Sequence, residues 1–276
     1  MIDAAIATGD AGKVATIAEL ARTTNPDDTA EVDAMVAGFT AQQQHIAAEQ
    51  AAAREAEIRA APLFAMWKGE GQLGGFRSTG NTSSAGLSAG LKLNRVGIDW
   101  RHKLLGRIDY QRTNGATTRE QYSFAYEPNY HFNPRLYAYG LGQFEHDRIQ
   151  GFTSRISASG GLGYKVIARD RMKLSTKAGP ALRATDYTDT SDETSLAGLL
   201  GVDFDWHLAE KVKLTQDANA YFQASNSSFD STTGLEAQIN GSLTARVAYV
   251  VEHDTNPPAG AVRTDTLTRL TLIYGF

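Results

Sequence analysis

The stretch RTDTLTRLTLIYGF, residues 263–276, decides the reading of this chain. Counted in twos, Leu270, Leu272, Tyr274 and Phe276 fall on one side, and Arg269, Thr271, Ile273 and Gly275 on the other. A period of two is the mark of a β-strand with one apolar face. The last residues of a soluble domain are usually polar and frayed. Here the apolar set runs to the final residue, so the segment reads as a built strand, and what covers its apolar face becomes the question.

The same alternation recurs upstream. In QYSFAYEPNYHF (121–132), Tyr122, Phe124, Tyr126, Tyr130 and Phe132 share a side. Leu87, Ala89, Leu91 and Leu93 do so against Gly86, Ser88, Gly90 and Lys92, and Leu200, Val202, Phe204 and Trp206 against Gly201, Asp203 and Asp205. Between the segments, short connections (FNPR 132–135, ARDR 168–171, LAEK 208–211, INGS 239–242) alternate with longer polar ones. The longer set is TGNTS 79–83, TNGATTRE 113–120, IQGFTS 149–154, TDTSDETS 188–195, SNSSFDSTTG 225–234 and DTNPPAGAVR 254–263. About twelve strands fit between Leu63 and Phe276, with one turn placed only loosely, within NRVGIDWRH. The segment 135–148 breaks the rule, because Tyr137, Tyr139 and Leu141 share a face with Gln143 and Glu145; a bulge near Gly140–Gly142 would repair it.

Three features favour lipid over a second protein layer as cover. The strands run to about ten to fifteen residues, where soluble ones favour ~5–6. The polar face is rich in Gly, Ser and Ala, as an enclosed lumen requires. Trp67, Trp100, Tyr130, Phe132, Trp206, Tyr274 and Phe276 gather at the short-turn side, as an aromatic girdle does where lipid meets water. Lipid offers no hydrogen bonds to an open edge, so the last strand must pair with the first, near Trp67. The expected fold is an all-β transmembrane barrel of about twelve antiparallel strands over residues 62–276. Residues 1–61, rich in Ala, Glu and Gln, read as a helical hairpin. Asp10 caps its first arm, Asn25-Pro26 makes the break, and Val32, Met35, Val36 and Phe39 form the stripe of an arm reaching about Ala60.

Composition narrows function. Without cysteine there is no disulfide, thiolate metal site or cysteine nucleophile. A net charge of −4, both signs spread along the chain, gives no footprint for nucleic acid. The start, MIDAAIATGD, lacks the basic and apolar regions of a signal peptide, so in an exported protein the numbering would begin near the mature start or the sequence would be truncated. No run approaches ~20 apolar residues, the length a membrane helix needs.

The lumen-facing set is expected to include Lys165, Lys173, Lys177, Arg183, Asp203, Asp205, Asp217, Arg107, Asp109, Glu127 and Arg269, with Lys103, Lys213, Glu236 and Arg246 beside them. One reading fills the lumen with ion pairs. The other keeps a narrow channel, using the small inward residues Gly86, Ser88, Gly90, Ser157, Ser159, Gly161 and Gly163. The cations Lys165, Lys173, Lys177 and Arg183 would bias such a channel toward anions unless Asp203, Asp205 and Asp217 pair with them. On the same reasoning Ser157→Arg should be tolerated or alter conductance. A membrane phospholipase, with a Ser/His pair on the lipid face, is the enzyme alternative. Of His45, His102, His131, His146, His207 and His253, none is expected there with a serine near in register, and His131 is expected inward at the short-turn rim. Asp186, Asp189, Asp192 and Glu193 read as a solvated loop. No catalytic residue, cofactor or metal site is expected.

GLGQFEHDR (140–148), GGLGYKVI (160–167) and NPPAGAVRTDTLTRLTLIYGF (256–276) together resemble the YdiY-like family of salt-induced outer-membrane proteins. YEPNYHF (126–132) and DYQRTNGATTREQY (109–122) also match. The resemblance covers about residues 64–276 and implies a barrel in the outer membrane of Gram-negative bacteria, with no established catalytic residues. It implies surroundings of outer-membrane lipid and lipopolysaccharide, and handling by the outer-membrane assembly machinery. Tyr274 and Phe276 are similar to the signal that machinery reads. The helices of 1–61 would then lie in the periplasm, read either as a solvated spacer that packs on itself or as a docking arm for a protein partner or a second copy. The expected role is a structural anchor with a largely filled lumen, or else a narrow porin-like channel for small solutes or ions.

Overall fold

The computed structural model describes residues 1–62, 64–78, 84–188, 192–224, 226–257 and 262–276; of 76–78 and 84 it describes the backbone only. The connection 79–83, Asp189 of the acidic loop and the proposed strand start at Leu63 lie outside these residues. The chain divides into two compact units, Met1–Leu63 and Phe64–Phe276.

The first unit is helical: α1 (Ile2–Ile6), α2 (Ala11–Thr24), a 3-10 turn at Pro26–Asp28 and α3 (Thr29–Ala60). The carboxylate of Asp10 accepts the free backbone N–H groups of Gly12 and Lys13 at 2.9 and 3.1 Å, and so starts α2. Ile2, Val14, Ala18, Val32 and Phe39 are buried together, and Arg22 bonds Asp33 at 2.6 Å across the two longer helices. The hairpin is therefore a three-part cluster, α1 supplying Ile2 and Ala5, a contribution too short to show as a sequence period. The stripe ends at Phe39, and farther along α3 Ile46 and Ala53, which continue the seven-residue spacing of Val32 and Phe39, are exposed, so that continuation packs on nothing within this unit.

The second unit is a closed barrel of twelve antiparallel strands, each paired with its neighbours in chain order. They are β1 (Trp67–Ser78), β2 (Ser84–Val96), β3 (Trp100–Thr113), β4 (Ala116–His131), β5 (Leu136–Asp147), β6 (Phe152–Ala168), β7 (Met172–Tyr187), β8 (Glu193–Ala209), β9 (Val212–Gln223), β10 (Ser228–Gln238), β11 (Leu243–Asp254) and β12 (Thr264–Gly275). β1 closes on β12 from Glu70↔Gly275 to Gly74↔Thr271, and Gly69 and Phe276 exchange two backbone hydrogen bonds of 2.9 Å. The last residue is thus part of the sheet, and its ring lies over Gly69, where a Cβ would meet it.

Alternation puts Leu73, Leu87, Leu196, Leu200, Leu270 and Leu272 on the outside, with Leu270 and Leu196 66% and 79% exposed. A soluble protein does not leave an apolar belt of this extent bare; hydrocarbon is the cover that fits it, and the barrel is of the outer-membrane type. All seven girdle aromatics lie at the short-turn end. Trp100 packs on Tyr130 (5.2 Å between centroids) and Tyr130 edge-on to Phe132 (5.4 Å), and His102 joins them, stacked on Trp100 at 6.0 Å.

Two expectations are corrected. Most of TNGATTRE and of SNSSFDSTTG is strand, so loop asymmetry is weaker than the sequence suggested. β3 and β4 meet in a tight turn at Asn114-Gly115, whose positive φ of 50° and 82° suit that pair. There is also no bulge at Gly140–Gly142: β5 keeps one register with β6 from Leu136↔Tyr164 to Glu145↔Arg155. Tyr137 and Tyr139 point inward because β6 offers glycine opposite each, at Gly163 and Gly161. A Cβ on Gly163 would fall 2.1 Å from the Tyr137 ring. The register shifts that do occur lie toward strand ends, such as Gln111/Arg112 and His207/Ala209.

The β6–β7 wall is close at Gly161 and Gly179. A Cβ at Gly161 would lie 2.2 Å from the Ala178 carbonyl oxygen, which is backbone and cannot swing away. Gly161→Val should cost about 1–3 kcal/mol through overpacking, read as a lower urea midpoint in detergent. Gly142→Ala, with nothing within 4 Å, should leave the midpoint nearly unchanged.

Candidate functional site

The inward residues of the twelve strands form one interior, polar over most of its wall. Of the lumen candidates named from the sequence, Asp109, Glu127, Lys177, Arg183 and Arg269 are buried, and Arg107, Asp203, Asp205 and Asp217 line its open part, while Lys165 and Lys173 lie toward the short-turn ends of β6 and β7. Which charges meet is decided by the closure of the barrel, and it differs from expectation. Lys103 on β3 reaches Asp203 on β8 at 3.2 Å, bridging walls five strands apart. Lys177 binds Glu127 at 2.5 Å, and Asn129 donates to the same carboxylate at 3.1 Å. Asp205 pairs with Lys213 at 3.5 Å, and Lys213 also meets Glu236, which faces Arg246 across β10–β11. The expected pairing of Lys165, Lys173, Lys177 and Arg183 with Asp203, Asp205 and Asp217 therefore does not form. Closure delivers Lys103 to Asp203, and Lys213, on the neighbouring strand β9, takes Asp205. Lys165 and Lys173 are left near the short-turn mouth, without an ion pair among the described residues.

Toward the other end, Arg119 binds Glu252 at 2.6 Å and Asp265 at 3.3 Å, and Gln121 and Gln150 donate to Glu252 at 3.0 and 2.9 Å. Beside this cluster, Arg269 binds Asp109 at 2.7 Å, with side chains 5% and 3% exposed, and Arg107 stands 4.0 Å from the same carboxylate. Charges this deeply buried persist only when paired.

One wall is apolar. Tyr137, Tyr139, Ala181, Leu199 and Tyr221 are buried against one another inside the barrel. Arg183 lies over the Tyr221 ring, 4.3 Å from its centroid, and donates to Ser228 at 2.8 Å, while the Tyr221 hydroxyl donates to Gln143 at 3.2 Å. Sequence reasoning missed this wall, since inward aromatics mimic outward ones in a period-two pattern. The available signal was the glycine pair Gly161 and Gly163 on β6. Ser157, 1% exposed and opposite Arg183, is packed, so the expected tolerance of Ser157→Arg is withdrawn. Gly163 gives its space to Tyr137 and adds none to the lumen.

What stays open is a cavity of about 290 Å³ lined by Glu70, Lys92, Lys103, Asp203, Asp217, Glu236 and other inward residues. Asp217 is exposed although it lies within the wall, because it faces that cavity.

His131 is inward, stacked on Tyr137 at 5.2 Å. His102, His146 and His253 face outward, and His146 has Ser154 near in register, contrary to expectation. Ser154 donates to Asp186 at 2.5 Å, and His146 bonds the Thr153 carbonyl at 2.5 Å, so the histidine is not placed as base to that serine. Among the described residues no group of acidic and histidine side chains has the arrangement of a metal site.

A family model described as "Protein of unknown function, DUF481" matches residues 71–276. The "Uncharacterized protein YdiY" of Escherichia coli (strain K12) is 27% identical over 208 residues, covering 74% of this chain and 82% of that protein. Among solved structures, an outer membrane channel described as COG4313, from Pseudomonas putida F1, aligns with a TM-score of 0.48 at 7% identity, over 79% of this chain and 97% of that one. The NanC porin aligns with a TM-score of 0.46 at 10% identity, over 75% and 97%.

Proposed function

We propose that this chain, which belongs to the DUF481 family of proteins of unknown function, works in the outer membrane as a porin-like barrel restricted to water, small ions and small polar solutes. The observation that carries the reading is the Lys103–Asp203 bridge. It spans the lumen and leaves a polar cavity of about 290 Å³ beside it, where a wide pore would have an open axis. Twelve strands also fall between the small filled barrels and the water-filled porins of sixteen strands or more. Lys165 and Lys173 at one mouth favour anions there.

Planar-bilayer recording tests this. The native barrel should give small ohmic steps, and Lys103→Ala/Asp203→Ala should enlarge them by about twofold or more, because the bridge is the constriction. Silence from both proteins would overturn the conduit and leave a filled anchor. That second reading draws on α3, whose far half offers exposed Ile46 beyond its own unit's core. With the barrel in the outer membrane and the helices in the periplasm, that half would meet a protein partner. Crosslinking from Ile46 in cells should then capture one discrete protein, and a diffuse background would contradict it.

A further inference from the structure

Neighbouring strands elsewhere in the barrel pair nearly along their full lengths, as β2 and β3 do from Ser84↔Thr113 to Val96↔Arg101. Among the described pairings, β1 and β12 stop at Gly74↔Thr271, short of the long-loop end. At that point a cavity of about 210 Å³ has a lining drawn from both faces of the wall. Leu87, Tyr110, Thr268 and Leu270 come from the outward face; Ser88, Arg119 and Arg269 come from the lumen.

The inner end holds unsatisfied donors. Nε and Nη1 of Arg269, Nε of Arg119 and Oγ of Ser88 are buried and have no hydrogen-bond partner among the described residues. Arg269, Arg119 and Ser88 are only 6%, 6% and 7% exposed. A buried N–H without an acceptor is costly, and more so when charged, so such a cluster at a cavity implies an acceptor. The arginine fork matches oxyanions, carboxylate or phosphate, in two-point contact. Asp109, Glu252 and Asp265 already match Arg269, Arg119 and Arg107 in number, so it is the unsatisfied N–H groups, not surplus charge, that call for an acceptor. The cavity is smaller than the ≈300–1,000 Å³ of a site that encloses its ligand. It takes a head group and leaves the tail against the outer leucines.

The geometry points to a lateral portal at the β1–β12 seam that binds a single-chain amphiphile with an anionic oxyacid head. The head lies on Arg269 and Arg119, and the tail passes between Gly75 and Leu270 into the lipid. An unpaired strand edge facing hydrocarbon is costly, and an occupant there would cover it. The portal rests on the barrel lying in lipid and is independent of conduction, so a silent bilayer recording would leave it standing.

The test uses the full chain in phosphatidylcholine nanodiscs, with hexadecanoic acid, hexadecyl phosphate and hexadecanol carrying a photoreactive tail. The two acids should label Leu87, Tyr110, Thr268 or Leu270 at least about tenfold more than the alcohol does, a difference of about 1.4 kcal/mol. Arg269→Gln should remove that preference. Thr268→Trp, which fills the mouth from an exposed position and spares the ion pairs, should lower labelling by a similar factor if Arg269→Gln does not fold. Inorganic phosphate at the same concentration should not displace the acids. Equal labelling by acid and alcohol, adducts spread evenly round the belt, or full displacement by inorganic phosphate would each overturn the portal.

Discussion

Leu270→Arg and Leu200→Arg should each prevent the barrel from assembling in a membrane. Both leucines lie near the middle of their strands and face outward, 66% and 44% exposed. An arginine on the lipid face costs about 2–4 kcal/mol at mid-depth, and little at the interface. The matched control is Thr232→Lys, which lines the lumen cavity and faces Asp217 across β9–β10. It should assemble as the native protein does, since the new ammonium gains a carboxylate partner. The readout is the fraction of chain that becomes protease-resistant and heat-modifiable in liposomes. Equal assembly of all three variants would rule out the assignment of faces.

Arg269→Leu should be the most destabilising single change inside the barrel. It leaves the Asp109 carboxylate, 3% exposed, without its 2.7 Å partner. Removing one member of a buried pair costs about 3–5 kcal/mol, mostly because the other charge is stranded. Arg107, 4.0 Å away on the same wall, should hold the loss toward the lower end. The double variant Arg269→Leu/Asp109→Leu should recover most of the stability, because a buried ion pair is worth little more than an apolar pair of similar volume. Urea unfolding in detergent measures both. A double variant no more stable than the single one would mean that the two residues do not act as a pair.

The barrel was legible because its rule is local. A period of two carried to Phe276, with the aromatics near one set of turns, already required a closed sheet. The pairing inside it was not legible. Lys103 meets Asp203 across a hundred residues, and nothing in the local pattern of β3 or β8 records that closure brings those walls together. The inward tyrosines of β5 defeated the rule that apolar means outward, and only the facing glycines of β6 could have corrected it. The reach of the loops was overread because Ser and Thr in 113–120 and 225–234 look like turn residues, whereas most of them are wall positions, Thr232 facing the lumen and Ser231 and Thr233 facing outward with Phe229 and Leu235. In the helical unit, Asp10 and Pro26 marked their boundaries correctly, because a cap and a proline act on the backbone directly.

The most direct test of a lipid-covered barrel is a pair of spin labels in phosphatidylcholine bilayers. Because the chain has no cysteine, single-cysteine variants at Leu200 and Asn219 carry one label each. These residues sit on adjacent strands, Leu200 facing out and Asn219 lining the lumen cavity. Oxygen collision and deuterium modulation in heavy water are then measured for both. A label at Leu200 in contact with oxygen but not water, with the reverse at Asn219, is the expected result; water contact at Leu200 with oxygen contact at Asn219 would contradict it.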